Sequence, residues 1–412
     1  MTWSPAPRPS WVSAVNNGDV PLINEVAQLP LTRDSLMGEA RAHVGLSDFG
    51  REDFLEPLDV LLPALEDEAE LTVIGRWLTR RFLLRFLGVR LQLAAYVRAD
   101  PGVADEPVTE PLFVTGAPRT GTTILYALLA EDERHRVPLG WEFLRPVPPP
   151  ERATHDDDPR IALADVELRG PATVVDGLDA IHVYGGRMPK ECLSAMSFAF
   201  RSEEFTARYR VPTYADWLAR CDMRPAYEMH KLVLQVLQRR MPTSRWVLKS
   251  PVHLHALPTV LAVYPDARIA VTHRDPLTVL PSVTSLVATL RWAHSDRIDF
   301  AEIGRAHAAM YHADLDGLVD HVERGTLDPA RTHHVRYDDF GRDPLAAVDK
   351  LYAQFGWELD AAMRQRMQDR VAAQPKGQHG RHEYSFDDLA IDRTAERARY
   401  ARYQRTFGVP DE

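Results

Sequence analysis

The stretch PLFVTGAPRTGTTILYALLAE, from Pro111 to Glu131, decides the fold of this chain. It begins with a short apolar run that contains β-branched residues, Leu112 to Thr115, and this run predicts a buried parallel strand. A turn rich in glycine and proline follows, and apolar residues then recur at helical spacing up to Leu129. A strand, a glycine turn and a helix in this order point backbone N–H groups and a helix N-terminus at an anion. The stretch therefore predicts a phosphate-binding loop.

The loop follows the nucleoside-triphosphate pattern G-x-x-x-x-G-K-[ST] except at one position. Gly116 and Gly121 occupy the glycine positions, but Thr122 stands in the lysine position and the cation has moved to Arg119. In nucleoside triphosphatases that lysine reaches the β- and γ-phosphates, and the next hydroxyl holds magnesium. The substitution disfavours a metal-bound triphosphate and favours a smaller anion at the 5′ end of a nucleotide. The alternative is an ordinary strand-to-helix turn with a surface arginine. The residues predicted to surround the anion are Pro118, Arg119, Thr120, Gly121, Thr122 and Thr123.

The composition is that of an ordinary soluble globular protein. The chain has 412 residues, of which 45% are hydrophobic and 26% charged, which is enough material for a sizeable core. Its formal net charge of -10 gives no support for a nucleic-acid partner. The two cysteines, Cys192 and Cys221, lack metal-ligand spacing and argue against a disulfide framework. The sequence shows no signal-peptide core and no apolar run long enough to span a bilayer, so we expect a cytoplasmic protein.

Strand and helix patterns alternate along most of the chain. Short β-rich runs at Arg245–Lys249, Arg268–His273 and His333–Tyr337 are separated by helical patterns. This order predicts an α/β fold of the phosphate-loop type, with a doubly wound parallel sheet and helical additions at both ends. We expect a helical N-terminal extension over residues 1–107 and a nucleotide-binding domain with a helical C-terminal tail over residues 108–412. Residues 176–200 have an ambiguous pattern, in which a strand at Ala180–Tyr184 is one alternative.

A helix rich in arginine is predicted between residues 71 and 97. Its apolar residues recur at helical spacing and alternate with arginines. Such a helix is either a peripheral membrane-binding element or a core-facing helix with a solvated arginine face, and we favour the second interpretation.

Two further stretches carry candidate binding residues. In HRDPLTVLPS, Arg274 follows a strand and Ser282 lies two turns into the next helix, an arrangement that suits a second phosphate. The alternative is a helix cap with a surface arginine. In WVLKSPVHL, Lys249 ends a parallel strand at the edge where ligands bind, and His253 follows four residues later. His253 is a candidate catalytic group, although a packed or capping role is equally compatible with its position.

Glu142 is the candidate general base. It follows the loop helix and lies in a proline-rich loop, and a carboxylate near a phosphate site without metal suits proton removal from an alcohol. A solvated loop carboxylate is the alternative. No complete set of metal ligands is present in the sequence pattern, and we predict no metal.

Together these motifs resemble the sulfotransferases that use 3′-phosphoadenosine 5′-phosphosulfate (PAPS), in particular an actinobacterial branch. GAPRTGTT resembles the family's 5′-phosphosulfate loop, RDPLTVLPS its 3′-phosphate motif, and LKSP its K-T-H segment, with the histidine displaced to His253. PKGQHG resembles the R-K-G segment, with Lys376 and Gly377 in the matching places and Pro375 instead of arginine. The spacing from Pro138 to Glu142 is similar to that of bacterial trehalose sulfotransferases, in which the glutamate is thought to be the base.

The resemblance implies a PAPS-dependent O-sulfotransferase that releases 3′-phosphoadenosine 5′-phosphate (PAP). Arg119 and the loop hydroxyls would hold the 5′-phosphosulfate, and Arg274, Ser282 and Lys376 the 3′-phosphate. Lys249 would act at the reacting centre, and Glu142, or else His253, would accept the proton. The acceptor is an alcohol on a small molecule, lipid or glycan. A nucleotide kinase or triphosphatase, and a non-catalytic nucleotide-binding scaffold, are the alternative functions.

Overall fold

The computed structural model describes residues 3–176, 185–373 and 385–412. Its strands are β1 (Leu112–Thr115), β2 (His135–Arg136), β3 (Arg245–Lys249), β4 (Arg268–His273) and β5 (Thr332–Arg336). They form one five-stranded sheet in the order β2-β3-β1-β4-β5, and each neighbouring pair is parallel. The predicted parallel sheet is confirmed. β5 begins one residue earlier than the pattern indicated, and β2 was not predicted.

Helices surround the sheet and precede it. The N-terminal helices are α1 (Ser10–Asn16), α2 (Pro21–Gln28), α3 (Arg33–Val44), α4 (Leu55–Asp67) and α5 (Val73–Ala99). Those between β1 and β4 are α6 (Thr122–Leu129), α7 (Gly140–Leu144), α8 (Arg160–Val174), α9 (Leu193–Met196), α10 (Glu203–Arg208), α11 (Pro212–Leu218), α12 (Arg224–Gln238) and α13 (Leu257–Val263). Those after β4 are α14 (Pro276–Trp292), α15 (Phe300–Glu323), α16 (Tyr337–Arg342), α17 (Pro344–Phe355), α18 (Ala361–Ala372) and α19 (Arg393–Phe407).

Both faces of the sheet are covered, as a doubly wound fold requires. Successive side chains of a strand point to opposite faces. On β1, Phe113 joins the larger buried cluster, whereas Leu112 and Val114 join a second cluster with α6 and α17. The larger cluster also contains side chains of α3, α4 and α5, so the N-terminal helices and one face of the sheet share a core. This packing leaves the carboxyl end of β1, where the loop begins, at the centre of the sheet.

The long arginine-rich helix α5 faces the core, but its arginines are not all solvated. Arg80 is 2% exposed and Arg90 1% exposed. Arg90 lies 4.0 Å above the ring of Phe54 and donates to the Phe198 carbonyl at 2.9 Å. Burial lowers the pKa of Arg90 to about 10. Part of the predicted solvated face is therefore buried polar packing. Across residues 3–176, 185–373 and 385–412, no helix has the length and apolar character needed to cross a membrane.

Candidate active site

The phosphate loop joins the carboxyl end of β1 to α6. Gly116 has φ 141°, Arg119 φ 67° and Gly121 φ 95°, so three loop residues have positive φ. A Cβ atom on Gly116 would lie 2.4 Å from Thr272 Oγ1 and 2.5 Å from its carbonyl oxygen, which only glycine avoids. Loops of this shape, placed before a helix N-terminus, form concavities lined by backbone N–H groups. The predicted strand, loop and helix are thus present.

Loop hydroxyls divide into two groups. Thr120 is 2% exposed, and its hydroxyl donates to the Ala117 carbonyl at 2.6 Å and lies 2.5 Å from Thr272 Oγ1. This hydroxyl therefore closes the loop against β4, and its engagement within the protein argues against the predicted contact between the Thr120 hydroxyl and the anion. Thr122 is also buried, at the start of α6, whereas the Thr123 side chain is exposed. Pro118 is partly buried, and the Arg119 side chain is exposed at the loop surface.

Lys249 lies beside the loop, as the strand pattern predicted. It ends β3, is 3% exposed, and its Nζ donates to Thr123 Oγ1 at 3.3 Å. The same Nζ forms an ion pair with the Glu191 carboxylate, whose side chain is 23% exposed. The Cys192 N–H donates to the Lys249 carbonyl at 3.0 Å, which fixes the backbone next to Glu191 against the strand end. Thr123, Lys249 and Glu191 thus form a row beside the loop, in which the Lys249 ammonium group contacts both the hydroxyl and the carboxylate.

Glu191 was not among the residues that the sequence singled out. It has no motif of its own and lies in the segment whose pattern was ambiguous. A bridge between Leu139 and Pro189 attaches that segment to the chain before α7, which only the folded structure reveals.

Arg274 lies at the end of β4, the strand next to β1. Its Nη1 donates to the carbonyl of Arg119 at 3.1 Å, and its guanidinium lies 3.9 Å above the Tyr337 ring. Nε and Nη2 donate to the carboxylate of Glu412 at 2.8–3.1 Å. Ser282 is buried in α14, two turns after the N-cap Asp275. The arginine predicted for the second phosphate therefore adjoins the first loop.

Glu142 has a different environment from that predicted. It is fully buried, and its carboxylate accepts hydrogen bonds from Arg136 Nη2 at 2.6 Å and from the Leu139 N–H at 2.9 Å. His155 Nε2 lies 3.2 Å from the same carboxylate. Burial alone would raise the pKa of Glu142, but the Arg136 guanidinium, His155 and the Leu139 N–H together outweigh it and hold the pKa below its usual value. A carboxylate with no exposed surface that already binds three partners is not open to an acceptor hydroxyl, so the geometry argues against Glu142 as the proton acceptor.

His253 is also a core residue. It lies in the 3₁₀ segment Pro251–Ala256, has no exposed surface, and packs edge-on against Phe113 with ring centroids 5.0 Å apart. Its Nδ1 is 2.8 Å from the Tyr227 hydroxyl. Burial, reinforced by two neighbouring histidines, lowers the pKa of His253 well below its usual value. This placement corresponds to the packed role and argues against contact with an acceptor.

The remaining candidates from the sequence lie in parts of the chain that the structure does not describe. Lys376 and Gly377 lie outside the described residues, as does the alternative strand at Ala180–Tyr184. Within the three described ranges, no group of three or more histidine, cysteine and acidic side chains is arranged to hold a metal ion.

The fold and the loop define a parallel α/β protein of the phosphate-loop class. The family model described as "Sulfotransferase family" matches residues 111–361. The chain belongs to this sulfotransferase family.

Solved structures from mycobacteria are similar over most of the chain. Sulfotransferase STF1 of Mycobacterium tuberculosis is 33% identical with a TM-score of 0.79, over 90% of this chain and 98% of that one. Sulfotransferase STF9 of Mycobacterium avium is 29% identical with a TM-score of 0.85, over 93% and 98% of the two chains. A curated relative is omega-hydroxy-beta-dihydromenaquinone-9 sulfotransferase Stf3 of Mycobacterium tuberculosis, 28% identical over 278 residues. That match spans 64% of this chain and 65% of the relative, just under two thirds of its length.

Proposed function

We propose that this protein transfers the sulfuryl group of PAPS to the hydroxyl group of an acceptor. The observation that carries the proposal is the row of Thr123, Lys249 and Glu191 beside a phosphate loop that contains Arg119. Membership of the sulfotransferase family supports the same reaction. The missing loop lysine argues against a triphosphatase, because that lysine is the residue that reaches the terminal phosphates.

The donor site follows from the charges around the loop. Backbone N–H groups between Gly116 and Thr122 would hold the 5′-phosphosulfate, with Arg119 and Thr123 at its exposed side. Arg274, with Ser282 and Lys376, would hold the 3′-phosphate. The 3′-phosphate is remote from the reacting atoms, and its binding energy would hold the donor in the orientation that the reaction needs. The Gly116 backbone, which a Cβ atom would block, fits such close approach.

PAPS would supply the sulfuryl group and leave as PAP. A bond forms between the acceptor oxygen and sulfur while the bond between sulfur and the bridging oxygen breaks. The bridging oxygen gains negative charge as that bond breaks. Lys249, held 3.3 Å from Thr123 Oγ1, and Arg119 would stabilise this charge by their fixed position.

Glu191 would take the proton of the acceptor hydroxyl. Its carboxylate is partly exposed, and it already contacts Lys249 at the loop. A positioned base must lie within hydrogen-bond reach of the hydroxyl, and an acceptor oxygen that approaches the sulfur comes close to Lys249. Glu142 and His253 are less suited to this role, because both side chains are fully buried and already bind their own partners, Arg136 and Tyr227.

The acceptor proposed is a hydroxyl on a lipid. The curated relative is named for an omega-hydroxylated menaquinone, and this name is the basis for the proposal. Turnover with a panel of hydroxylated isoprenoid quinones, sugars and simple alcohols would test this proposal. Activity with the sugars alone would contradict it.

Donor preference tests the reaction class. PAP should raise the melting temperature of the protein by mass action, whereas ATP with magnesium should raise it little. Thermal-shift titrations with both ligands at equal concentrations measure this difference. Stabilisation by magnesium ATP but not by PAP would refute the proposed function.

A further inference from the structure

The arginine proposed for the 3′-phosphate is already paired with a carboxylate of this chain. Nε of Arg274 donates to both oxygens of Glu412, at 3.1 and 3.0 Å, and Nη2 donates to Oε2 at 2.8 Å. The two side chains are 20% and 30% exposed. Two adjacent guanidinium N–H groups on two oxygens form the same fork that arginine uses for phosphate.

Glu412 is held in this position by a separate anchor. Its backbone N–H donates to the carboxylate of Asp275 at 2.8 Å, and Asp275 is fully buried. Arg397 of α19 donates to both oxygens of that carboxylate, at 2.6 and 2.8 Å. The backbone at residue 412 is thus fixed independently of Arg274, and the anchor presents the Glu412 carboxylate to the guanidinium.

We propose that the Glu412 carboxylate occupies the place of the donor's 3′-phosphate and that PAPS must displace it in order to bind. This inference rests on the proposed function, because it takes Arg274 as the 3′-phosphate residue. A phosphate monoester carries a charge of about −1.5 to −2 at neutral pH, against −1 for a carboxylate. The 3′-phosphate therefore binds the Arg274 guanidinium more strongly than Glu412 does and displaces it. Nucleotides without a 3′-phosphate do not displace Glu412.

The exchange leaves the phosphate loop in place. Arg274 contacts Glu412 through Nε and Nη2, but contacts the carbonyl of Arg119 through Nη1, at 3.1 Å. Arg119 has a positive φ of 67°, a conformation that costs energy for a residue other than glycine. The Nη1 contact supports that conformation in both states. Glu412 therefore keeps Arg274 aligned with the loop until the 3′-phosphate takes over.

Substitution of Glu412 by glutamine tests the proposal, because glutamine keeps the shape and removes the charge. Dissociation constants would be measured by titration calorimetry for PAP and for adenosine 5′-phosphosulfate, which lacks the 3′-phosphate. PAP should bind about fivefold more tightly to Glu412→Gln, the fold-change that corresponds to about 1 kcal/mol for a partly exposed ion pair. Adenosine 5′-phosphosulfate should bind both proteins equally.

Asp411→Asn is the matched control. Asp411 is 71% exposed and pairs with Arg397 at 3.0 Å rather than with Arg274, so its loss should leave PAP affinity unchanged. In an Arg274→Ala background, Glu412→Gln should also have no effect on PAP binding.

Two results would overturn the inference while the proposed function stands. One is PAP binding that Glu412→Gln leaves unchanged or weakens. The other is an equal gain for PAP and adenosine 5′-phosphosulfate, which would indicate a general charge effect. Failure of PAP to bind either protein would instead overturn the proposed function, and this inference with it.

Discussion

Replacement of Glu191 by glutamine should lower kcat about 10²–10⁴-fold for an alcohol acceptor, the range that a positioned general base contributes. Glutamine has the shape of glutamate but cannot accept the proton. The affinity for PAP should remain unchanged, because the loop, Lys249 and Arg274 are all retained. In free-energy terms the loss is about 3–5 kcal/mol of transition-state stabilisation.

The structure indicates why this loss should appear in kcat. Glu191 contacts Lys249, whose Nζ also donates to Thr123 Oγ1 at 3.3 Å, and we expect this second contact to persist after the substitution. The substitution removes one negative charge from the donor side of the site, which slightly favours an anionic ligand. A fall in kcat with an unchanged or lower donor KM is therefore expected, since the lost interaction belongs to the transition state.

The assay compares two acceptors on wild type and variant. An aliphatic alcohol needs a base in order to attack, whereas a nitrophenol that is largely ionised at the assay pH does not. Glu191→Gln should therefore lose much of its activity with the alcohol and little with the nitrophenol, at equal PAPS concentrations. Equal losses for the two acceptors would refute a base role for Glu191.

Glu142→Gln is the comparison variant. Removal of one partner from the buried ion pair of Arg136 and Glu142 should cost about 3–5 kcal/mol of stability. The pKa of Glu142 is lowered in the fold, so its contribution is present above its unfolded pKa and is lost as pH falls through the folded value. The melting temperatures of wild type and variant should therefore converge on acidification. Normal stability together with a large loss of kcat would support Glu142 as the base and refute a base role for Glu191.

Two further substitutions test the donor site. Arg119→Ala should lower kcat more than donor affinity, because its exposed guanidinium is proposed to act on charge that develops in the transition state; a raised donor KM with normal kcat would assign it to positioning. Arg274→Ala should weaken PAP binding by about 1.5–3 kcal/mol and adenosine 5′-phosphosulfate binding little, as measured by calorimetry. Because Glu412 is proposed to compete for Arg274 in the wild type, the loss should lie at the lower end of that range; equal losses for both ligands would contradict the assignment.

Strands β1, β3 and β4 were predictable because each is a short run of apolar and β-branched residues that the sheet buries on both faces. The glycine positions of the loop were predictable for a related reason, since Gly116 fills a place that any side chain would block. Strand β2 has only two residues, His135 and Arg136, and pairs with the start of β3. A strand that short carries no period for a sequence pattern to reveal.

Glu142 was chosen as the candidate base for its proximity in sequence to the loop helix, and that role stays a prediction. Its carboxylate is fully buried and binds Arg136. Ligands of parallel sheets lie at the carboxyl end of the strands. Glu191 reaches that end through a hydrogen bond between Cys192 and the last residue of β3, a contact between positions far apart in the chain. Such contacts leave no trace in local composition.

We propose that Lys249 supplies the ammonium group that the loop itself lacks. In the nucleoside-triphosphate pattern, the ammonium group comes from the loop itself. Here it comes from the neighbouring strand and carries Glu191 with it. Before reaction the two charges offset each other beside Thr123. In the proposed mechanism, Glu191 would become neutral on taking the acceptor's proton, and Lys249 would then act with its full charge on the bridging oxygen. Removal of the acceptor's proton would therefore strengthen the stabilisation of the leaving group. A lysine in the loop without a paired carboxylate would not couple these two events.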